Sequence, residues 1–417
     1  MLLRATLASA CLVVAGCGCG DDGEADADAG MDSGTDAGFD AGPDADAGVD
    51  AAGDGGYDGG DPGWVLLPGL PEECPIERAT RPESLYAPVW EPCAEQPEGC
   101  LRELPTPLIR TDVGWHDGER GHVYVVGTAS IIADLSRSTA IAAWRAPAPR
   151  GDPWACTIHQ IGIGDGYAAM YANFRHFGDE DRSIDRIYHS ELRDIGAEDS
   201  ASIVLSPGLS STPQRLAVTS TVVAGQMSGI PVLFTGGGFR ALLEGAVAGT
   251  AQRIHAVGDF AFWEDWGSTV RIAFGSLDRA PRFLRDIAPG RIRAFHTDGV
   301  DFAWVEIRDD PPTLELFTAP VVFDAAELEP RRVGPIEGIQ FTGMGGGWFV
   351  RVLADPERIE LTELATGRTK TWHAAEGEIL SGFPPTYVAA TEILLKGRRA
   401  GGTNYWIRLD PRVLPWE

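Results

Sequence analysis

Four short acidic segments hold the residues best suited to chemistry. They are "GDEDRS" (Asp179, Glu180, Asp181), "WEDWGS" (Glu264, Asp265), "RDDPP" (Asp309, Asp310) and "DPER" (Asp355, Glu357). Clustered carboxylates can hold a divalent cation through oxygen ligands or receive a basic partner. Two of them fixed across a cleft can also serve as the acid and base of glycoside hydrolysis. With Trp266 beside them, these residues form a candidate binding rim, and Ca2+ is the ion such a rim would take. The competing reading is a set of solvated hairpin tips in an acidic protein. The chain has no H-E-x-x-H, G-x-S-x-G or P-loop segment, so no catalytic residue and no cofactor are assigned. Its eight histidines are scattered, without ligand spacing. "GIGDGY" lacks the glycine spacing of a dinucleotide fingerprint, and "TGGGF" and "GMGGGW" read as turn glycines.

The elements that would position such a rim repeat along the chain. Segments starting at Val222, Phe260, Phe302 and Trp348 each show an apolar or alternating strand, a polar turn, a second strand and a shorter strand often rich in Arg. A short apolar strand precedes each: "QRLAVTS", "RIHAVG", "RIRAFHTDG" and "GIQFTG". Four strands recurring about every 40 to 46 residues is the period of a propeller blade. Upstream, "HVYVVGTAS", "TAIAAWRAP" and "WACTIHQIG" read together as one blade, and "AAMYANFRHFG", "DRIYHSEL" and "ASIVLS" as another. The last repeat, "TYVAATEILLKGRRAGGTNYWIRLD", ends before an outermost strand. That strand is expected from the hairpin-like "SLYAPVWEPCAEQPEGCLREL" near the start of the domain, which would close the ring and remove exposed sheet edges. The fold class is therefore all-β, a propeller of four-stranded blades. Seven blades fit best, with six or eight as alternatives.

In its aromatic second strand, polar turn and "Y-x-x-x-L" style third strand, this layout resembles the TolB-like and WD40-like propellers of bacterial cell envelopes. The resemblance covers roughly residues 110 to 417. The Gly-His and Trp-Asp signatures of WD40 repeats and the extra α/β domain of TolB itself have no counterpart. Trp144, Trp263, Trp304 and Trp348 read as wedges packing blade on blade, with a sugar platform as the alternative and Trp266 the tryptophan expected to be exposed.

The N-terminal region is of a different kind. Arg4, an apolar run of about a dozen residues and small residues before Cys17 have the layout of a signal peptide, too short for a membrane span. Val14-Ala15-Gly16-Cys17 resembles a bacterial lipobox, which implies cleavage after residue 16 and lipidation of Cys17. Residues 21–61 hold 13 Asp, one Glu and no Lys or Arg. That composition buries no core and is expected to be a disordered tether. The domains are thus 1–16 signal, 17–63 lipidated linker and 64–417 propeller. Of the later cysteines, Cys93 and Cys100 flank the turn-rich "AEQPEG" and suit a local bridge, leaving Cys74 with Cys156. Disulfides fit an exported chain better than a zinc site does.

The formal charge is −27, and from residue 62 onward 47 acidic residues still outnumber 33 basic ones. That balance argues against nucleic acid, which demands a basic patch. The expected function is a binding module for an envelope protein or glycan, monomeric and held by its lipid at the cell envelope. The outer membrane is the expected site, ahead of the inner. A carbohydrate-active hydrolase or lyase using acids near the channel is the alternative.

Overall fold

The computed structural model describes residues 62–416 apart from connecting segments, the longest being 68–73, 94–99, 104–113, 193–200, 206–212 and 243–250. Asp58–Glu417 forms one compact unit. Apart from one 3-10 turn at Pro82–Ser84, the regular elements among the described residues are strands. They form seven antiparallel sheets, the blades of a β-propeller, whose strands are lettered A to D from the innermost outward.

Blades 2 to 6 have four strands in simple sequence order. Their A strands are Trp154–Gly164, Gln214–Val218, Ala251–Val257, Ile292–Thr297 and Phe341–Gly345. Their B strands are Tyr167–His176, Val223–Met227, Phe260–Trp266, Asp301–Arg308 and Trp348–Ala354. Because neighbouring strands run antiparallel, all A–B turns emerge on one face and all B–C turns on the other. The described A strands of blades 2 to 5 pack in series. Blade 1, from Gly114 to Arg145, is widened at its outer edge by Glu77–Ala79 and Trp64–Leu66.

Ring closure follows the sequence expectation. In blade 7 the C strand, Asn404–Leu409, pairs with Cys100–Glu103, which pairs in turn with Trp90–Pro92. One strand was read into the wrong blade. "WACTIHQIG" is not the outer strand of blade 1 but the inner strand of blade 2, paired with Tyr167–His176. The cause is the turn Asp165-Gly166, with φ of 49° and 76°. Two successive positive φ values make a tight two-residue hairpin whose twist matches its strands.

The strand alternation explains the core. On a B strand, alternate side chains face opposite neighbouring blades. Phe262 of blade 4 thus packs on Phe302 and Trp304 of blade 5, while Ala261 and Trp263 pack on Val222 and Ala224 of blade 3. Trp263 and Trp304 occupy equivalent positions and are wholly buried. Trp304 stacks on Phe317 at 5.8 Å and donates its indole N–H to Glu306 at 2.8 Å. Each such aromatic stabilises the fold by about 2–3 kcal/mol. Trp348 and Trp144 are also buried but at other positions, the first residue of a B strand and an outer strand.

Near the axis the blades converge and side chains give way to backbone. Gly164 runs against Val218 O and Gly345 against Val388 O, so that a Cβ at either position would collide with a main-chain oxygen. The chain's two lysines are buried, both 3% exposed. Lys370 Nζ donates to Pro411 O at 2.7 Å and lies 4.4 Å from the Trp416 ring, pinning the C-terminal segment to blade 6. Lys396 lies over Trp406 at 5.5 Å.

Two disulfides, Cys74–Cys156 and Cys93–Cys100, span 82 and 7 residues of sequence. The first ties the outer strands of blade 1 to the inner strand of blade 2, and the second staples the closing hairpin. Loop entropy makes the first the stronger constraint, roughly 4.5 kcal/mol against about 2.5 kcal/mol for the second. Denaturant midpoints of Cys74→Ala/Cys156→Ala and Cys93→Ala/Cys100→Ala should therefore fall in that order, the first pair losing more.

Candidate functional site

The acids read as a rim divide into two groups. Glu264 and Asp265 stand inside the B strand of blade 4, 0% and 6% exposed, and are not hairpin tips. They pair with Gln252 and Ala251 on one side and with Ile272 and Arg271 on the other. The turn comes later, at 267–269, because the strand is buried on both faces and continues to Trp266. Arg271 lies 3.9 Å from the Asp265 carboxylate. Glu357 opens the C strand of blade 6 and accepts the Leu380 N–H at 2.9 Å, a structural tie to the segment entering blade 7. Asp179 is half-buried just past the B strand of blade 2. Glu180, Asp181, Asp309, Asp310, Asp355 and the side chain of Trp266 lie outside the described residues.

The other described acids at this end of the blades are matched by arginines of the same sheets. Arg308 bridges Glu306 at 3.1 Å and Glu315 at 3.5 Å, and Arg332 reaches Glu315 at 2.7 Å. The hydrogen bond from Arg332 holds the Glu315 carboxyl below its usual range. Arg351 and Arg358 share Glu360. Among the described residues, no three His, Cys, Asp or Glu side chains gather as a metal set.

The channel wall has a different character. The A strands of blades 2 to 6 contain no Asp or Glu. Four of them carry a β-bulge four to five residues before the A–B turn. In blade 2 the extra residue is His159, between the pairs Ile158–Ala172 and Gln160–Tyr171. In blade 3 Arg215 and Leu216 together oppose Gly225, and in blade 4 Arg253 and Ile254 oppose Trp263. In blade 5 the extra residue is Arg293. A bulge re-aims its side chain and is typical of strands beside functional sites. Sequence reasoning passed over these residues, although the repeated "QRL" and "QRI" were the available signal.

Behind His159 lies a polar cluster between blades 2 and 3. Its ring lies 5.6 Å from that of Tyr171. Asn173 donates to the buried Asp185 and accepts from Arg175 at 3.2 Å. Burial, then the charge of Asp185, pushes the Tyr171 phenol well above its usual range. Burial also lowers His159, against the opposing pull of Asp185.

On the opposite face the A–B turns are hydrogen-bonded in series. Ser220 N–H donates to Asp165 at 3.4 Å, Thr219 Oγ1 to Gly258 O at 2.7 Å and Thr221 Oγ1 to Asp259 at 2.6 Å. His189 of blade 2 contacts Thr219 O through Nε2 at 2.9 Å, donating to it.

These sheets define the class of protein, a seven-bladed β-propeller with WD40-like blades. No family model matches the chain, and no curated relative matches it. Solved structures with similar folds include a chain of a nidogen/laminin complex, at 16% identity and a TM-score of 0.35 over 61% of this chain and 93% of that one. Human WBSCR16 is similar at 11% identity and 0.43 over 74% and 88%, and Hsv2p of Kluyveromyces lactis at 11% and 0.39 over 75% and 94%. These likenesses carry no functional argument, and the fold assignment rests on the strand pairing of this chain.

Burial lowers His189 from its ordinary 6.5. A histidine with a depressed folded pKa binds fewer protons folded than unfolded, so stability is full above about pH 6.5 and falls as the pH drops below it. Melting temperatures from pH 8 to pH 5 should show that fall, and His189→Gln should flatten part of it.

Proposed function

We propose that the chain is an exported lipoprotein, lipidated at Cys17, whose propeller serves as a module binding another protein or a surface glycan at the cell envelope. The observation that carries the binding role is the closed ring itself. Its lateral sheet edges are occupied or covered by added strands, so the two turn faces and the channel mouths are left as the contact surfaces. Export is supported by the four cysteines that follow the linker, all paired within the domain as an oxidising compartment favours. The lipobox-like Val14-Ala15-Gly16-Cys17 and the acidic stretch behind it support a tethered placement, with the outer membrane as the preferred site. A carbohydrate-active enzyme would need two carboxylates free to act across the channel. Glu306, Glu315 and Glu360 are instead engaged by arginines.

Fractionation of an expressing bacterium should place the full chain in the membrane pellet with radiolabelled palmitate incorporated. Cys17→Ser should release it to the soluble fraction without label. Label-free pelleting of both forms would sink the anchoring claim.

A further inference from the structure

We infer that the channel mouth on the B–C side is a binding site for a short, carboxylate-rich peptide segment of a partner, with Arg215 and Arg293 supplying the charge. The inference deepens the binding-module reading and rests on it. Arg215 is the strongest evidence. It is exposed, within an inner strand, at φ 53°. Only two other non-glycine residues among those described have positive φ, and neither Ser130 nor Asp165 lies within a strand. A left-handed backbone at a non-glycine residue costs free energy and persists where surrounding packing enforces it. Here the enforcement is visible. Leu216 beside it is 8% exposed, and opposite stands Gly225, where a Cβ would come within 2.9 Å of the Phe234 ring and 3.3 Å of Leu216. The apolar half of the bulge is therefore locked inward while the arginine is turned out.

The second line of evidence is recurrence. Bulges at nearly the same height in blades 2 to 5 contribute His159, Arg215, Arg253 and Arg293, and Arg293 is likewise exposed. The third is exclusion. In a domain where acids outnumber bases, the inner strands of blades 2 to 6 carry none. This wall is thus locally basic inside an acidic molecule, which selects for an anion small enough to stay near it. Beyond a Debye length of about 8–10 Å the remaining surface is screened, so a short acidic segment feels the arginines. A nucleic acid would extend over the repelling exterior. An extended peptide also suits inner strands, which face the channel with an open backbone edge. Phe177, 65% exposed just past the B strand of blade 2, offers an apolar contact at the same end.

The test is titration of the detergent-solubilised full chain with fluorescein-labelled octa-aspartate, read by anisotropy. Octa-lysine, polygalacturonate and an Arg412→Gln variant are the controls. Arg215→Asn retains a residue that tolerates positive φ, and Arg293→Gln keeps length and polarity. Each should weaken octa-aspartate binding at least about fivefold with the unfolding midpoint unchanged, as expected for loss of a charge-assisted contact. Arg412→Gln should leave binding unchanged, and raising salt should weaken it. The inference is overturned if octa-aspartate does not bind, if Arg215→Asn and Arg293→Gln bind it as well as the parent, or if only polygalacturonate binds. None of these outcomes bears on lipidation or fractionation. Conversely, an envelope protein captured equally by the parent and Arg215→Asn would defeat this inference and leave the binding-module reading standing.

Discussion

Everything in this fold depends on satisfying the outer edge of the last sheet. A blade ending at Leu409 would present a row of unpaired backbone donors and acceptors, the feature that makes open sheets associate with one another. The Cys100–Glu103 strand covers that edge, so residues about 300 positions apart in sequence share one sheet. The seven blades are thereby held at a fixed angular spacing. The close approaches at the axis and the wedge packing farther out both presuppose that spacing.

Convergence of the blades sets the side-chain sizes. Near the axis, Gly164 and Gly345 leave room only for another main chain, while Trp263 and Trp304 fill the wider gap between B strands. The same convergence gives the bulges their effect. On a regular inner strand, alternate side chains point into neighbouring blades, and one extra residue breaks that alternation where the wall meets water. A charged side chain can then be directed out without disturbing the apolar partners on either side, as Leu216 and Arg215 show.

Most of the architecture was legible because blade repeats announce themselves through strand and turn spacing. From Val222 to His373 the alternation is strong and the turns are polar, and the strands fall where that pattern places them. The strand at Trp154–Gly164 was misread because its 11 residues look like an outer strand bounded by a cysteine, although the Asp165-Gly166 dipeptide after it marks a hairpin. The acids misled for a physical reason. A carboxylate pair beside tryptophan reads as a turn, and only tertiary pairing reveals that Glu264 and Asp265 sit in a strand buried on both faces. The bulge arginines were invisible in a stronger sense. "QR" before an apolar residue is ordinary strand text, and the left-handed backbone of Arg215 arises from Gly225 and Phe234 on neighbouring strands.

The burial of Lys370 and Lys396 has a practical corollary. With both side-chain amines packed against tryptophan rings, the folded propeller offers amine-reactive labels and crosslinkers no lysine, and acylation of Cys17 at a processed terminus would mask the remaining α-amine. Surveys of envelope proteins that rely on lysine chemistry would pass over this one, while reagents aimed at carboxylates would find it readily.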